Sequence, residues 1–386
     1  MNDHTSLFNP AVVAYQPSLI RKIMETKHNG SYTRISLGLG ELPYVMPEAA
    51  QHANTEALAN GKSGYTPNVG LTELREAVAK ERTKQSRKSY AADNVLITSG
   101  STGGLAIAFE TLLTAGDEVL IPALHYPLYA SLPKTRGGVV REYHLTDDFQ
   151  IDVDHLQSLI TEKTKLIVIN SPSNPTGAIQ SSETLQRVAD LVTNHPHIFF
   201  ISDEVYSTLR FTHASFPSIA DYSDNTIIID GLSKRANMTG KRVGWFIAPD
   251  YVIEQARKVQ QYLYVCAPSD SQYAALAILS GSSDSELSER LEQLERNRDV
   301  LLDSLNGIEH VSVNHPEGAF YCLLDISYFG DSQTVAKRLI EEVNVVTVPG
   351  VGFGRSGDRY LRLSFAVDQS SLQEAVARMK GVFASW

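Results

Sequence analysis

The sequence predicts an α/β fold, a sheet covered by helices on both faces, joined to a smaller α+β unit. Three observations point there. Short apolar runs alternate with amphipathic helical stretches through the middle of the chain. Several of those runs are continuous and β-branched, as expected of strands buried on both faces. From about residue 250 the alternation gives way to long helical stretches and a few short strands.

Taken in order, the strand candidates are VLIT (95–98), EVLIP (118–122), VVREYHL (139–145), KLIVIN (165–170), IFFISD (198–203), TIIIDG (226–231) and RVGWFIAP (242–249). Between them SSETLQRVADLVTN (181–194) reads as a helix whose serines can cap its first turn. In such sheets ligands bind at the carboxyl ends of the strands, so residues just past these runs carry the most interest. Later come helical stretches at 250–264 and 285–305, then HPEGAFYCLLDIS, a helix at 332–343, VVTVPG, RYLRLSFA and a terminal helix from 369. The first 45 or so residues, rich in Pro and Gly, are expected to pack against this later unit or against a partner chain. A chain of 386 residues exceeds the size at which one core usually stops growing. The expected division is an N-terminal arm and part of a small domain over 1–45, a large domain over 46–280, and a small C-terminal domain over 281–386.

The formal net charge of -10 argues against nucleic-acid or anionic-membrane partners, which need a basic face. The two cysteines, Cys266 and Cys322, sit among apolar neighbours without a CxxC partner. Buried free thiols in a reducing compartment are expected, and no metal site. MNDHTSLFNP shows no secretory signal pattern, and the apolar runs are strand-length. A cytoplasmic soluble protein is the expectation.

The chemistry concentrates in IIIDGLSKRANMTGKRVGWF. A strand ends at Asp230, Ser233 and Lys234 follow in a turn, and Arg242 opens the next strand. A lysine there, near an arginine and a serine, suits an amine nucleophile beside an anion site. Taken alone it reads as a solvated loop lysine. SPSNPTG (171–177) follows another strand end and offers Asn174. IFFISD ends in Asp203, with Tyr206 three residues on. An aspartate at the end of so apolar a strand needs a charged partner, unless it serves only as a helix cap. In LITSGSTGGLAIAF a strand runs into a Ser/Gly/Thr turn, with a helix expected to begin near Thr102. The free N–H groups of such a helix start make an anion site. A nicotinamide fingerprint is not matched.

The ordered set YTPNVGLTELREA (65–77), SGSTGG (99–104), HYPLY (125–129), NSPSNPTG (170–177), DEVY (203–206), GLSKRANMTGKRVG (231–244) and YLRLSFA (360–366) resembles the fold type I, class I/II aminotransferases, the aspartate aminotransferase superfamily dependent on pyridoxal 5′-phosphate (PLP). The likeness spans nearly the whole chain. It implies a large PLP-binding domain with a mixed, mostly parallel seven-stranded sheet, a smaller α+β domain from the two chain ends, and a homodimer with shared active sites. By the resemblance, Lys234 matches the lysine that holds PLP as a Schiff base and shuttles the substrate proton. Asp203 matches the carboxylate that keeps the pyridine nitrogen protonated. Asn174 and Tyr206 match the donors to the phenolic oxygen, and Tyr126 the aromatic stacked on the ring, with Tyr129 as the competing choice. Gly100, Ser101, Thr102, Ser233 and Arg242 match the phosphate site, to which Tyr65 reaches from the neighbouring subunit. Arg362 matches the clamp on the substrate α-carboxylate, and Gly40 the glycine lining the substrate pocket.

Three features depart from the pattern. Gly231 stands where many members carry a second phosphate-binding serine, GELPYVMP differs in spacing from the common segment, and the phosphate loop lacks the lysine some bacterial aspartate aminotransferases use. The resemblance therefore gives no support to dicarboxylate specificity. It implies a ping-pong aminotransferase acting on an L-amino acid and a 2-oxo acid. PLP-dependent β-lyases (C–S lyases) and decarboxylases share these motifs and are the nearest rivals. A non-catalytic aminotransferase-like binding domain is the rival of another class, and intact Lys234, Asp203, Arg242 and Arg362 speak against it.

Overall fold

Each apolar run followed by a helix adds one strand to a central sheet, and the register of those strands decides where the functional side chains emerge. The structure, a computed structural model, describes residues 4–15, 19, 23, 25–26, 30–212 and 214–386. The elements that build the site begin with β1 (Ile35–Ser36), α1 (Glu48–Ala59), α2 (Thr72–Gln85), β2 (Val95–Ser99) and α3 (Gly100–Leu112). Next come β3 (Glu118–Pro122), α4 (Pro127–Thr135), β4 (Val139–Tyr143), α5 (Val153–Leu159), β5 (Thr164–Asn170), α6 (Ser182–Leu191) and β6 (Phe199–Asp203). They are followed by β7 (Thr226–Gly231), β8 (Val243–Ile247), α7 (Asp250–Leu263) and α8 (Ser269–Leu279). The chain ends with α9 (Asp284–Leu305), β9 (Ser312–Val313), β10 (Tyr321–Asp325), α10 (Ser332–Val343), β11 (Val345–Val346), β12 (Val348–Pro349), β13 (Tyr360–Ser364) and α11 (Gln369–Phe383).

The described residues form a seven-stranded sheet in the order β2-β8-β7-β6-β5-β3-β4. Neighbours from β7 through β4 run parallel, while β8 is antiparallel to both β2 and β7. The reason lies in the connections. Parallel neighbours need a long crossover, whereas residues 232–242 make only a short turn between β7 and β8. That turn keeps Lys234 and Arg242 at the same end of the sheet.

Alternation along the strands sorts the core into two faces. Leu96, Leu166, Val168, Ile201, Ile229 and Phe246 pack with Leu105 and Phe109 of α3 and Val252 and Ala256 of α7. The intervening residues face the other way. Val95, Ile97, Ile228 and Trp245 meet Leu74 and Val78 of α2 and Ala275 and Ile278 of α8, while Ile167, Ile169 and Phe200 meet Leu185 and Val188 of α6. β4 is one of the two edge strands and only its last residue, Tyr143, is buried; the expected strand over 139–145 ends there, and Leu145 instead bridges Ile151. α1, not expected from sequence, buries only Ala50, Asn54 and Ala57, too small a stripe to show as amphipathic.

A second, smaller core joins the two ends of the chain. β1 pairs in parallel with β11, and Leu37 and Leu42 pack with Leu301, Leu339, Phe365 and Leu372. An antiparallel sheet, β12-β13-β10-β9, completes this α+β part. In it Leu323 lies opposite Arg362 and Tyr321 opposite Ser364, so Tyr321 and Arg362 are diagonal neighbours on one face.

Among the described residues no helix is long and apolar enough to cross a membrane.

Candidate active site

The carboxyl ends of β5, β6 and β7, the start of α3 and the face of β10 and β13 enclose a pocket of about 310 Å3. Lys234 lines it from the turn after β7, and its Nζ donates to the Gly40 carbonyl at 2.6 Å. Gly40 is close-packed for a reason other than backbone strain. A Cβ built on it would lie 2.8 Å from the Tyr321 hydroxyl.

Asp203 ends the fully buried strand β6. Its Oδ2 accepts from the Tyr129 hydroxyl at 2.5 Å and its Oδ1 from the Val205 N–H at 3.3 Å. Burial pushes this carboxyl up to about 6, against the lowering effect of those two donors and of nearby Lys234. Tyr206 is buried, and its hydroxyl lies 3.2 Å from that of Tyr321. Burial first, then Tyr321, hold the Tyr206 proton on well above the usual phenol range.

Tyr126 and Tyr129 both reach the pocket and meet edge to face, 5.8 Å between ring centroids. Their tasks differ. The Tyr129 hydroxyl is spent on Asp203, which leaves Tyr126, at the start of α4, as the ring without that commitment.

Asn174 is set by its own N–H, which donates to Asn170 Oδ1 at 2.8 Å. Its Oδ1 accepts from Arg362 Nη1 at 3.1 Å, so its amide nitrogen is the end left to donate. Arg362 is 2% exposed, gives Nη2 to the Gly38 carbonyl at 2.7 Å, and leaves Nε without a partner among the described residues. Its guanidinium stands over Tyr321 and Phe353, 4.2 and 4.9 Å from the ring centroids. Burial lowers its pKa, with Tyr321 and Tyr206 opposing.

Arg242, just before β8, lies in the left-handed region, φ 50°, and donates Nη1 to the Thr239 carbonyl at 2.7 Å. Its guanidinium lies against Gly100, where a Cβ would meet Nη2 at 2.5 Å, so only glycine admits it. α3 begins at Gly100, two residues before the expected Thr102. Ser101 and Thr102 therefore sit within the first turn, where backbone N–H groups are free to bind an anion. Ser233 is buried and lines the same side. Gly100 itself does not line the pocket; it makes room for Arg242. Tyr65 stands apart, 86% exposed and outside the pocket of its own chain.

Three cations, Lys234, Arg242 and Arg362, thus face one buried carboxyl, Asp203, and among the described residues none of the three makes an ion pair with a carboxylate. Such a cavity is built for a ligand carrying more than one negative charge.

The family model for class I and II aminotransferases matches residues 32–379. The chain belongs to this family. It is an enzyme that transfers amino groups. The aspartate aminotransferase of Pyrococcus abyssi is 34% identical over 390 residues, covering 99% of this chain and 98% of its own. Aromatic-amino-acid aminotransferase 2 of Thermococcus litoralis is 35% identical over 376 residues, 95% of each chain. A solved structure of the aspartate aminotransferase from Thermus thermophilus with maleate superposes with a TM-score of 0.91 at 31% identity, covering 97% of this chain and 99% of the other.

Among the pocket residues that the sequence leaves without a role of their own, Tyr129 and Tyr321 make the contacts that matter most to this aminotransferase's site. Tyr129 was named only as a competitor of Tyr126, although a buried Asp203 calls for a donor and Tyr129 lies one helical turn on. Tyr321 sits in HPEGAFYCLLDIS, where a buried strand explains every apolar residue. Only the register against β13 reveals its contact with Arg362.

Proposed function

We propose that this aminotransferase uses PLP bound in the pocket and moves an amino group between an L-amino acid and a 2-oxo acid in a ping-pong cycle. The observation that carries the reading is the charge balance: around one buried carboxyl stand three cations without an ion-pair partner among the described residues. It fits a phosphate dianion at one end and a carboxylate at the other, with an amine between them. When bound, PLP supplies an aldehyde that takes up the amino group and a protonated ring that accepts electron density from the substrate Cα.

The chain's own residues do the rest. Arg242, Ser233 and the first turn of α3 at Ser101 and Thr102 would hold the phosphate. Asp203 would keep a proton on the ring nitrogen, oriented by the Tyr129 hydroxyl. Tyr206 and the amide nitrogen of Asn174 would donate to the phenolic oxygen, and Tyr126 would cover the ring. Lys234 would bind covalently through its amine, then carry the proton from the substrate Cα to the cofactor's C4′ in one half-reaction and back to the Cα of the second substrate in the other. Arg362 would hold the α-carboxylate with two parallel N–H groups, including the unpartnered Nε.

One assay separates this reading from a lyase or decarboxylase. An amino donor added to holoenzyme without an acceptor should release about one oxo acid per active site, the nitrogen staying on the protein. Repeated turnover to pyruvate and ammonia from a thioether substrate would replace transamination with lysis. Arg362→Lys keeps the charge but loses the fork. It should cut kcat/KM for amino and oxo acids together by on the order of 10², and a loss confined to one substrate would contradict the shared clamp.

The enzyme is further read as a homodimer. Tyr65 and, on the 262–265 segment, Tyr262, Leu263 and Val265 are exposed apolar residues. Asn68 ties the two segments by donating to the Val265 carbonyl at 2.6 Å. A partner covering them supports the role of Tyr65 at the neighbouring phosphate. Light scattering should give twice the 42.5 kDa chain mass. Tyr65→Phe should weaken cofactor binding by roughly 10-fold, the loss of one hydrogen bond to a charged group. An active monomer would rule the arrangement out. Free Cys266 and Cys322 support a reducing, cytoplasmic setting.

A further inference from the structure

Tyr321 touches both halves of the pocket with its two ends. Its hydroxyl lies 3.2 Å from that of Tyr206 and against Gly40, whose carbonyl holds the Lys234 amine. Its ring lies 4.2 Å from Arg362 Cζ, the two residues being diagonal neighbours across β10 and β13. The side chain is 1% exposed and packs on Phe320 with centroids 4.5 Å apart, so neither end is free to wander.

Two facing hydroxyls can bond in either sense, but Tyr206 has a single proton. Once Tyr206 gives that proton to a phenolic oxygen in the pocket, its own oxygen can only accept, and Tyr321 becomes the donor. A hydroxyl that accepts a hydrogen bond is the stronger donor for it. We propose that Tyr321 is a positioning residue acting through Tyr206: its hydroxyl commits the Tyr206 proton to the cofactor, while its ring supports the Arg362 guanidinium. The inference rests on the pocket reading given above.

The test compares holoenzymes of the wild type, Tyr321→Phe, Tyr206→Phe and the double variant, by pH titration of the cofactor's visible absorbance and by steady-state kinetics. Tyr321→Phe should raise the titration midpoint by roughly half a pH unit, because a less well held phenolic anion lets the Lys234 nitrogen keep its proton longer. Tyr206→Phe should raise it further, and the double variant should match Tyr206→Phe alone. KM for amino and oxo acids should stay within about 2-fold in Tyr321→Phe, which keeps the ring, and rise by about 10-fold in Tyr321→Leu, which removes it. An unchanged midpoint in Tyr321→Phe overturns the hydroxyl relay, as does an equal shift in the Tyr206→Phe background. A wild-type KM in Tyr321→Leu overturns the support of Arg362; should the leucine variant not fold, the two phenylalanine variants still decide the relay. Absence of cofactor absorbance in the wild type would overturn the pocket reading itself, an outcome distinct from an unmoved midpoint.

Discussion

Lys234→Ala should lower kcat by on the order of 10⁴ or more while leaving the fold intact. The large loss follows from a double role. The same amine would carry the cofactor and move the proton at the substrate Cα, and no second amine lines the pocket among the described residues. The small structural cost follows from the turn that carries it. Lys234 is only half-buried, and among the described residues its Nζ makes a single hydrogen bond, to the Gly40 carbonyl. Thermal melting should change little, since a partly exposed loop side chain contributes within about 1 kcal/mol. Small primary amines added to the variant should restore part of the proton transfer, because the space left by the side chain is bounded by Gly40. Near wild-type turnover in Lys234→Ala would remove the lysine from the chemistry.

Asp203→Asn should cost on the order of 10² or more in kcat, because a neutral amide cannot hold a proton on the ring nitrogen. The structure adds an effect of opposite sign in cofactor-free protein. Burial raises the Asp203 carboxyl from 3.8 to about 6 in the folded chain. Between those values the folded protein keeps a proton that the unfolded chain has released, so stability falls as pH rises through that window and stays lower above it. Asparagine removes the buried charge. Apo Asp203→Asn should therefore melt higher than apo wild type at pH 8 and show little advantage at pH 4. In holoenzyme, where the carboxylate would face a cationic ring, the advantage should vanish. Melting curves of both proteins, with and without PLP, check it. Equal apo melting temperatures at pH 8 would mean that Asp203 is solvated after all.

Much of the sheet was legible because its strands are buried on both faces. KLIVIN and TIIIDG read as strands from their length and β-branched content, and the direction of β8 follows from the short turn that carries Lys234 and Arg242. Of the pocket residues, Asp203 stands out from the residues alone, as a carboxylate ending the apolar run IFFISD, whereas Arg362 in YLRLSFA is reached only through the family resemblance. What stayed hidden depends on registers between distant segments. Tyr321 and Arg362 lie far apart in sequence and meet only through the pairing of β10 with β13. α1 and α8 pack through alanines, which leave little amphipathic signal. Gly231, a departure from the family pattern, has a local cause: a Cβ there would lie 2.8 Å from Gly244 Cα in the facing strand.

The central claim, that Lys234 holds the cofactor, is tested most directly by borohydride reduction of the yellow holoenzyme followed by peptide mass mapping. Reduction makes the bond between the lysine nitrogen and PLP permanent. The cofactor's mass should appear on the peptide containing Lys234, at close to one label per chain, with none in Lys234→Ala. Label on any other lysine, or no label on protein that retains transaminase activity, would contradict it.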